Sequence, residues 1–123
     1  MTYRFELALR LKQSRKFQEA IKLFQEVRTD PKRKVTGSIE LADCFQFVKQ
    51  HELAMKAYDE AIQAATVREI EYKKKALHRA GTLAMRDEDY EKANRYISQC
   101  ADMDFSYRDI AQLLDKLKEL REN

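Results

Sequence analysis

Hydrophobic positions recur along the chain with the spacing of an amphipathic helix, and short polar stretches interrupt them. The clearest segment has apolar residues at spacings of three, one, three and three, which lie on one helix face. These residues are Phe17, Ala20, Ile21, Phe24 and Val27. The same pattern predicts seven helices and no strand. Their ranges are 3–13, 17 to the Asp30-Pro31 pair, 35–48, 51–66, 68–86, 89–102 and 107–121.

Two of the polar breaks have a specific physical meaning. Asp30 precedes Pro31, the one proline of the chain, and the residue before a proline is disfavoured in the helical region. The second helix is therefore predicted to end there. Residues 87–89 are all acidic, and acidic side chains accept hydrogen bonds from the free amides at a helix N-terminus. This break is predicted to cap the sixth helix.

Composition supports a single all-α domain. The 123 residues fit one domain, and only 2 Gly and 1 Pro leave little room for the turns of a sandwich or barrel. Cys44 and Cys100 have no pairing motif, which favours buried thiols in a reducing compartment. The N-terminus has no apolar signal core, and no stretch approaches the roughly 20 apolar residues of a membrane span. We therefore expect a cytoplasmic protein with no membrane contact.

Charge is unevenly distributed along the chain. The net charge is +3, which implies no polyanionic partner. Residues 1–34, however, carry ten basic and four acidic residues. A basic loop containing Arg28, Lys32, Arg33 and Lys34 makes nucleic-acid binding an alternative. We favour a solvated loop, because the neighbouring aromatics Phe17 and Phe24 are assigned to the core and would not stack on bases.

The chain contains an internal repeat of helix pairs. The register of Phe17, Ala20, Phe24 and Val27 recurs 34 residues later, and again after a further 39. The second copy is His51, Ala54, Tyr58 and Ala61, and the third is Tyr90, Ala93, Ile97 and Cys100. The preceding helices repeat in the same way, as Leu7-Ala8-x-x-Leu11, Leu41-Ala42-x-x-Phe45 and Ala80-Gly81-x-x-Ala84. A period of about 34 residues built from two helices is typical of a solenoid.

These registers resemble the tetratricopeptide repeat family over residues 1–107. The resemblance implies an all-α, right-handed α-solenoid of three antiparallel helix pairs with a seventh capping helix, as a single domain over 1–123. The repeats would span about 1–34, 35–68 and 74–107, and the capping helix about 107–121. Small residues at the repeated positions would let helix axes approach closely. Where the family has a glycine before the second helix of each pair, this chain has Arg15, Lys49 and Glu88.

Catalysis and metal binding find little support in the sequence. It has no glycine-rich phosphate loop and no nucleophile elbow. Neither Cys44 nor Cys100 lies at helical metal spacing from His51 or His78. We therefore predict no catalytic residue, no metal site and no cofactor.

The resemblance implies a function for the first helix of each pair, whose inner face lines a concave groove in this family. Phe5, Leu9, Ile39 and Phe47 would be exposed apolar residues there, and such a cluster indicates a binding surface. The residues predicted to bind the partner are Phe5, Leu9, Ile39, Glu40, Asp43, Phe47, Lys75, His78, Arg79 and Thr82. We expect a non-catalytic scaffold that binds a peptide or partner protein of unknown identity. The alternative is a structural self-association domain of a larger protein.

One family subtype is disfavoured. Repeats that grip the acidic C-terminus of chaperones use basic and amide residues on all three first helices. Lys75 and Arg79 match that pattern, but Phe5, Leu9 and Glu40 do not. Glu40 would repel an anionic ligand. A tail with two carboxylates is therefore not the predicted ligand.

Overall fold

The computed structural model describes residues 2–122, and these contain seven α-helices, one 3₁₀ turn and no strand. The helices are α1 (Thr2–Gln13), α2 (Phe17–Val27), α3 (Lys34–Phe47), α4 (His51–Ala64), α5 (Ile70–Arg86), α6 (Tyr90–Met103) and α7 (Ile110–Glu122). The prediction of an all-α protein with seven helices is confirmed. Lys34 belongs to α3 rather than to the loop, and α7 begins at Ile110 instead of 107.

The chain divides into two compact units, Met1–Tyr72 and Lys73–Asn123. In the first unit α1 packs on α2, α2 on α3, and α3 on α4. In the second unit α6 packs on α7. Within each unit, helices that follow one another along the chain pack together, as the repeat predicts. The single-domain organisation stays a prediction.

Small residues at the repeated positions are all buried, as predicted. Ala8, Ala20, Ala42, Ala54 and Ala93 are each fully inaccessible to solvent. In the second unit, a Cβ atom added at Gly81 would lie 2.8 Å from Cγ1 of Ile97. A methyl group does not fit at that distance, so α5 approaches α6 more closely at Gly81 than a larger residue would allow.

The three turns within the helix pairs share one backbone conformation. Arg15, Lys49 and Glu88 have φ values of 62°, 62° and 59°. The amide after each donates to a carbonyl five residues earlier, as in Lys16 to Leu11, Gln50 to Phe45 and Asp89 to Ala84. This is the hydrogen-bond pattern of a Schellman helix end. The left-handed conformation therefore occurs at the turn positions where the tetratricopeptide repeat family has glycine, although this chain has no glycine there.

Lys49→Gly should stabilise the protein by about 1 kcal/mol. Lys49 is exposed and left-handed, and a side chain in that region costs about 1–2 kcal/mol that glycine avoids. The midpoint of denaturant unfolding measures the change. Lys49→Ala is the matched control and should leave stability within about 0.5 kcal/mol, since alanine keeps the Cβ. Equal stability of the two variants would contradict the left-handed turn.

Two of the helical starts follow from local capping chemistry. The Asp89 side chain accepts a hydrogen bond from the amide of Lys92, which confirms that the acidic break caps α6. Between α4 and α5, Thr66 and Glu69 form a capping box around a 3₁₀ turn at Val67–Glu69. The residues that lengthen the second repeat spacing lie in the helices themselves, since α4 has 14 residues against 11 in α2, and α5 has 17 against 14 in α3.

Candidate functional site

A groove of about 310 Å³ in the first unit brings together three of the predicted residues. Leu9 comes from α1, Glu40 from the middle of α3 and Phe47 from its last position. Four further residues complete the groove. Its lining is Leu9, Lys12, Gln13, Arg15, Phe17, Glu40 and Phe47.

Two stacked aromatic rings form one wall of this groove. The ring centroids of Phe17 and Phe47 are 4.8 Å apart, and the planes are within 6° of parallel. The Arg15 guanidinium lies 5.6 Å from the centroid of Phe17. Phe47 nevertheless remains 56% exposed. An exposed ring held in a fixed orientation by a second ring is an anchor point for an apolar or aromatic ligand group.

The lining of the groove also contains the paired charges of Lys12 and Glu40. Lys12 Nζ lies 2.6 Å from Glu40 Oε2 and 3.0 Å from Asp43 Oδ2. The hydroxyl of Tyr58 donates to Asp43 Oδ1 over 2.6 Å. Tyr58 is fully buried, and Asp43 is 8% exposed. One lysine therefore holds two carboxylates, and Glu40 does not act as an isolated negative charge.

The environment of this network changes the pKa of two groups. Burial by itself disfavours charged Lys12, but the charge of Asp43 and the hydrogen bond to Glu40 outweigh it, so the pKa of Lys12 is raised. Burial raises the pKa of the neighbouring Cys44 thiol to about 12. The thiolate is the nucleophilic form of cysteine, so both the raised pKa and the burial of Cys44 disfavour its reaction. The expectation that both cysteines are buried thiols is confirmed.

Of the apolar residues predicted to be exposed, Ile39 is buried and Phe5 is half-buried. Ile39 is only 2% exposed, so its predicted exposure is wrong. Phe5 is half-buried: its ring meets the edge of Phe24 at a centroid distance of 6.1 Å, and the Arg33 guanidinium lies 4.6 Å from it. These contacts come from other helices and loops, which a helical-face argument does not include. Asp43 is likewise buried, facing Tyr58 rather than solvent.

The other four predicted residues, Lys75, His78, Arg79 and Thr82, belong to α5 in the second unit. His78 Nε2 lies 2.6 Å from Asp109 Oδ1, and its ring meets Tyr107 edge-on at 5.9 Å. The Thr82 hydroxyl donates to the carbonyl of Arg79. The hydrogen bond to His78 lowers the pKa of Asp109. His78 therefore supports the segment that leads into α7.

Lys74 has a similar role that the sequence did not reveal. It is 9% exposed, and its Nζ lies 3.0 Å from Asp104 Oδ2 and 5.6 Å from the ring centroid of Tyr107. The hydrogen bond from Lys74 lowers the pKa of Asp104. Lys74 and Asp104 are separated by 30 residues along the chain, so no local pattern indicates the pair.

Asp104→Asn should destabilise the protein near neutral pH but not in acid. A carboxyl with a lowered folded pKa contributes stability above its unfolded pKa, about 3.8 here, and loses it as the pH falls through the folded value. Urea midpoints of wild type and Asp104→Asn should therefore differ at about pH 7 and approach each other as the pH falls below about 3.8. Asp102→Asn, at an exposed position, is the control. A difference that persists in acid would show that the Asp104 charge is not its cause.

The basic loop of the first unit is partly engaged by the protein itself. Arg28 forms an ion pair with Glu60 at 3.1 Å, and Arg33 lies over the ring of Phe5. Lys32 is exposed. Two of the four basic side chains are thus positioned by internal contacts.

Residues 2–122 contain no cluster of three or more His, Cys, Asp or Glu residues able to hold a metal ion. Over the same residues, the helices all fall short of the length and apolar character needed to cross a bilayer. No protein-family model matches the chain, and no curated protein matches it significantly.

Proposed function

We propose that this protein is a non-catalytic interaction scaffold that binds a peptide or partner protein in the groove of its first unit. The observation that carries the proposal is the ring of Phe47, which is more than half exposed yet fixed by stacking on Phe17. A free surface exposes a large aromatic ring at a cost, and such rings are enriched where partners bind. Leu9 extends the apolar surface within the same groove.

The paired polar side of the groove favours a neutral binding surface over a catalytic one. Lys12, Glu40 and Asp43 satisfy one another within 3.0 Å, and Tyr58 occupies the remaining oxygen of Asp43. A general acid or base needs a proton that it can exchange with a substrate. This network instead fixes α1 against α3 and so holds the groove open in one shape.

Our proposal includes the wider architecture implied by the tetratricopeptide resemblance. The three equivalent left-handed turns and the buried small residues support a right-handed α-solenoid of three antiparallel pairs, with α7 as the capping helix. We also propose a cytoplasmic location, which the two unpaired cysteines support.

Phe47→Ala should abolish partner capture while leaving the fold intact. The tagged wild-type chain would be used to isolate partners from the cells that produce it, with Val67→Ala as the matched control. Val67 is 89% exposed and apolar but lies outside the groove. A partner recovered by wild type and Val67→Ala, and lost by Phe47→Ala, would then be purified and its dissociation rate measured.

We expect Phe47→Ala to speed dissociation at least about tenfold, because a buried aromatic anchor contributes more than about 1.4 kcal/mol. The opposite result would be capture that Phe47→Ala leaves unchanged and that Arg33→Ala and Lys34→Ala abolish. It would contradict binding in the groove and place the binding site at the basic loop.

A further inference from the structure

The connection between α6 and α7 presents a second exposed aromatic ring. Phe105 is 62% exposed and lies between Met103, where α6 ends, and Ile110, where α7 begins. Asp102 and Asp104 precede it closely in the sequence. An exposed phenylalanine beside acidic residues is the type of group that an aromatic, basic groove would bind.

Residues 104–109, the connection between α6 and α7, are called the Phe105 segment below. Hydrogen bonds hold this segment in one conformation. Asp104 Oδ1 accepts from the amide of Ser106 over 3.1 Å, and the Asp104 carbonyl accepts from the amide of Tyr107 over 3.1 Å. Lys74 anchors the same Asp104 carboxylate through its other oxygen. A ring carried on a turn fixed in this way loses little conformational entropy when it binds.

The groove of the first unit has the matching chemistry. Its volume of about 310 Å³ exceeds the about 150 Å³ that accommodates benzene in an engineered protein cavity. Three cationic residues lie within two positions of Phe17 or Phe47 in the sequence: Arg15, Lys16 and Lys49. Within residues 2–122 none of these three forms an ion pair. Glu40, the carboxylate that lines the groove, is neutralised by Lys12.

The charge balance of the two regions is complementary. Residues 1–34 carry ten basic and four acidic residues, a net charge of +6. Residues 87–109, which contain α6 and the Phe105 segment, carry seven acidic and three basic residues, a net charge of −4. Opposite potentials of this kind steer association and fix its register.

We propose that the groove takes the Phe105 segment of a second copy of this chain. Phe105 of one copy packs against Phe47 of the next, and Asp102 approaches Arg15. The inference rests on the proposed function, since it names the partner of the same groove. Because the two surfaces consist of different residues, every copy offers one of each. Two copies that each place this segment in the other's groove form a closed dimer, whereas copies joined in one direction only form rings or open chains.

Sedimentation velocity over a range of protein concentrations tests this with two surface variants, Phe47→Ser and Phe105→Ser. The weight-average mass of the wild-type protein should rise with concentration, and each variant should raise the apparent Kd at least about tenfold. Val67→Ser, at an exposed position outside both surfaces, should associate like wild type. Higher salt should weaken wild-type association.

Mixing the two variants gives the decisive result. Phe47→Ser retains a working Phe105 segment, and Phe105→Ser retains a working groove. An equimolar mixture should therefore form a 1:1 complex that grows no further, at concentrations where either variant alone is largely monomeric. The charge swap offers a second check: Arg15→Asp and Asp102→Lys should each weaken association, and a mixture of the two variants should recover it in part.

Several outcomes would overturn the inference: a wild-type chain that is monomeric at every concentration, association that is indifferent to both phenylalanine variants, or a mixture that forms no complex. Each leaves the proposed function separately testable. If the Phe47→Ala variant fails to capture a different protein that the Phe105→Ser variant still captures, the groove binds that protein and not a second copy of this chain.

Discussion

Asp43→Ala should destabilise the protein by about 3 kcal/mol, the larger of the two main effects that we expect on stability. Asp43 accepts from the fully buried Tyr58 hydroxyl and pairs with Lys12. Its removal leaves a buried hydroxyl without that acceptor, at about 1–3 kcal/mol, and weakens the compensation of a partly buried lysine. Chemical denaturation followed by circular dichroism measures the loss.

Glu40→Ala is the internal control for Asp43. Glu40 shares Lys12 with Asp43, but Asp43 carries the hydrogen bond from Tyr58. We expect the Glu40 variant to lose about 1 kcal/mol, well below the loss for Asp43. Equal losses in the two variants would show that the Tyr58 hydroxyl contributes nothing to the role of Asp43.

Gly81→Ala should destabilise the protein by about 2 kcal/mol, although alanine is the better helix former. Intrinsic propensity favours the change by about 1 kcal/mol. The new Cβ, however, would overlap the side chain of Ile97, whose Cγ1 lies 2.8 Å away and which is fully buried. Overpacking of this kind costs about 1–3 kcal/mol beyond any gain. Thermal unfolding measures the result.

Gly37 supplies the matched control for Gly81, since it is the other glycine of the chain. A Cβ there would meet its nearest neighbours at 3.3 Å, which requires only a small adjustment. Gly37→Ala should therefore change stability by less than about 1 kcal/mol. In addition, Ile97→Val removes Cδ1, the atom nearest to the added methyl, and should recover part of the Gly81→Ala loss. A stabilised Gly81→Ala variant would contradict the close approach of α5 and α6.

Much of the fold could be predicted from the sequence because its signals are local. The helices follow from apolar spacing, and the cap at Asp89 follows from an acidic side chain before a helix. The repeat registers also identified the positions where small residues allow close packing, including Gly81. They further marked Lys49 as a turn position, where the backbone is left-handed without a glycine.

The candidate site was predicted only in part, because its geometry depends on residues distant in sequence. Leu9, Glu40 and Phe47 do line one groove, whereas Ile39 is buried. The registers place residues on a helix face but do not show which neighbouring element covers that face. Phe17 illustrates the opposite error: assigned to the core, it is half-buried and stacks on Phe47.

The sequence by itself determined that the chain is all-helical, where its helices lie and which small residues sit between them. Periodicity over three to four residues and local capping chemistry are sufficient for those conclusions. The tertiary structure alone decided that Lys12 joins Glu40 and Asp43 across 28 and 31 residues of sequence. It also decided that Arg15, Phe17 and Phe47 form one exposed wall. Such contacts depend on how helices pack against one another, and the pattern within a single helix does not encode that packing.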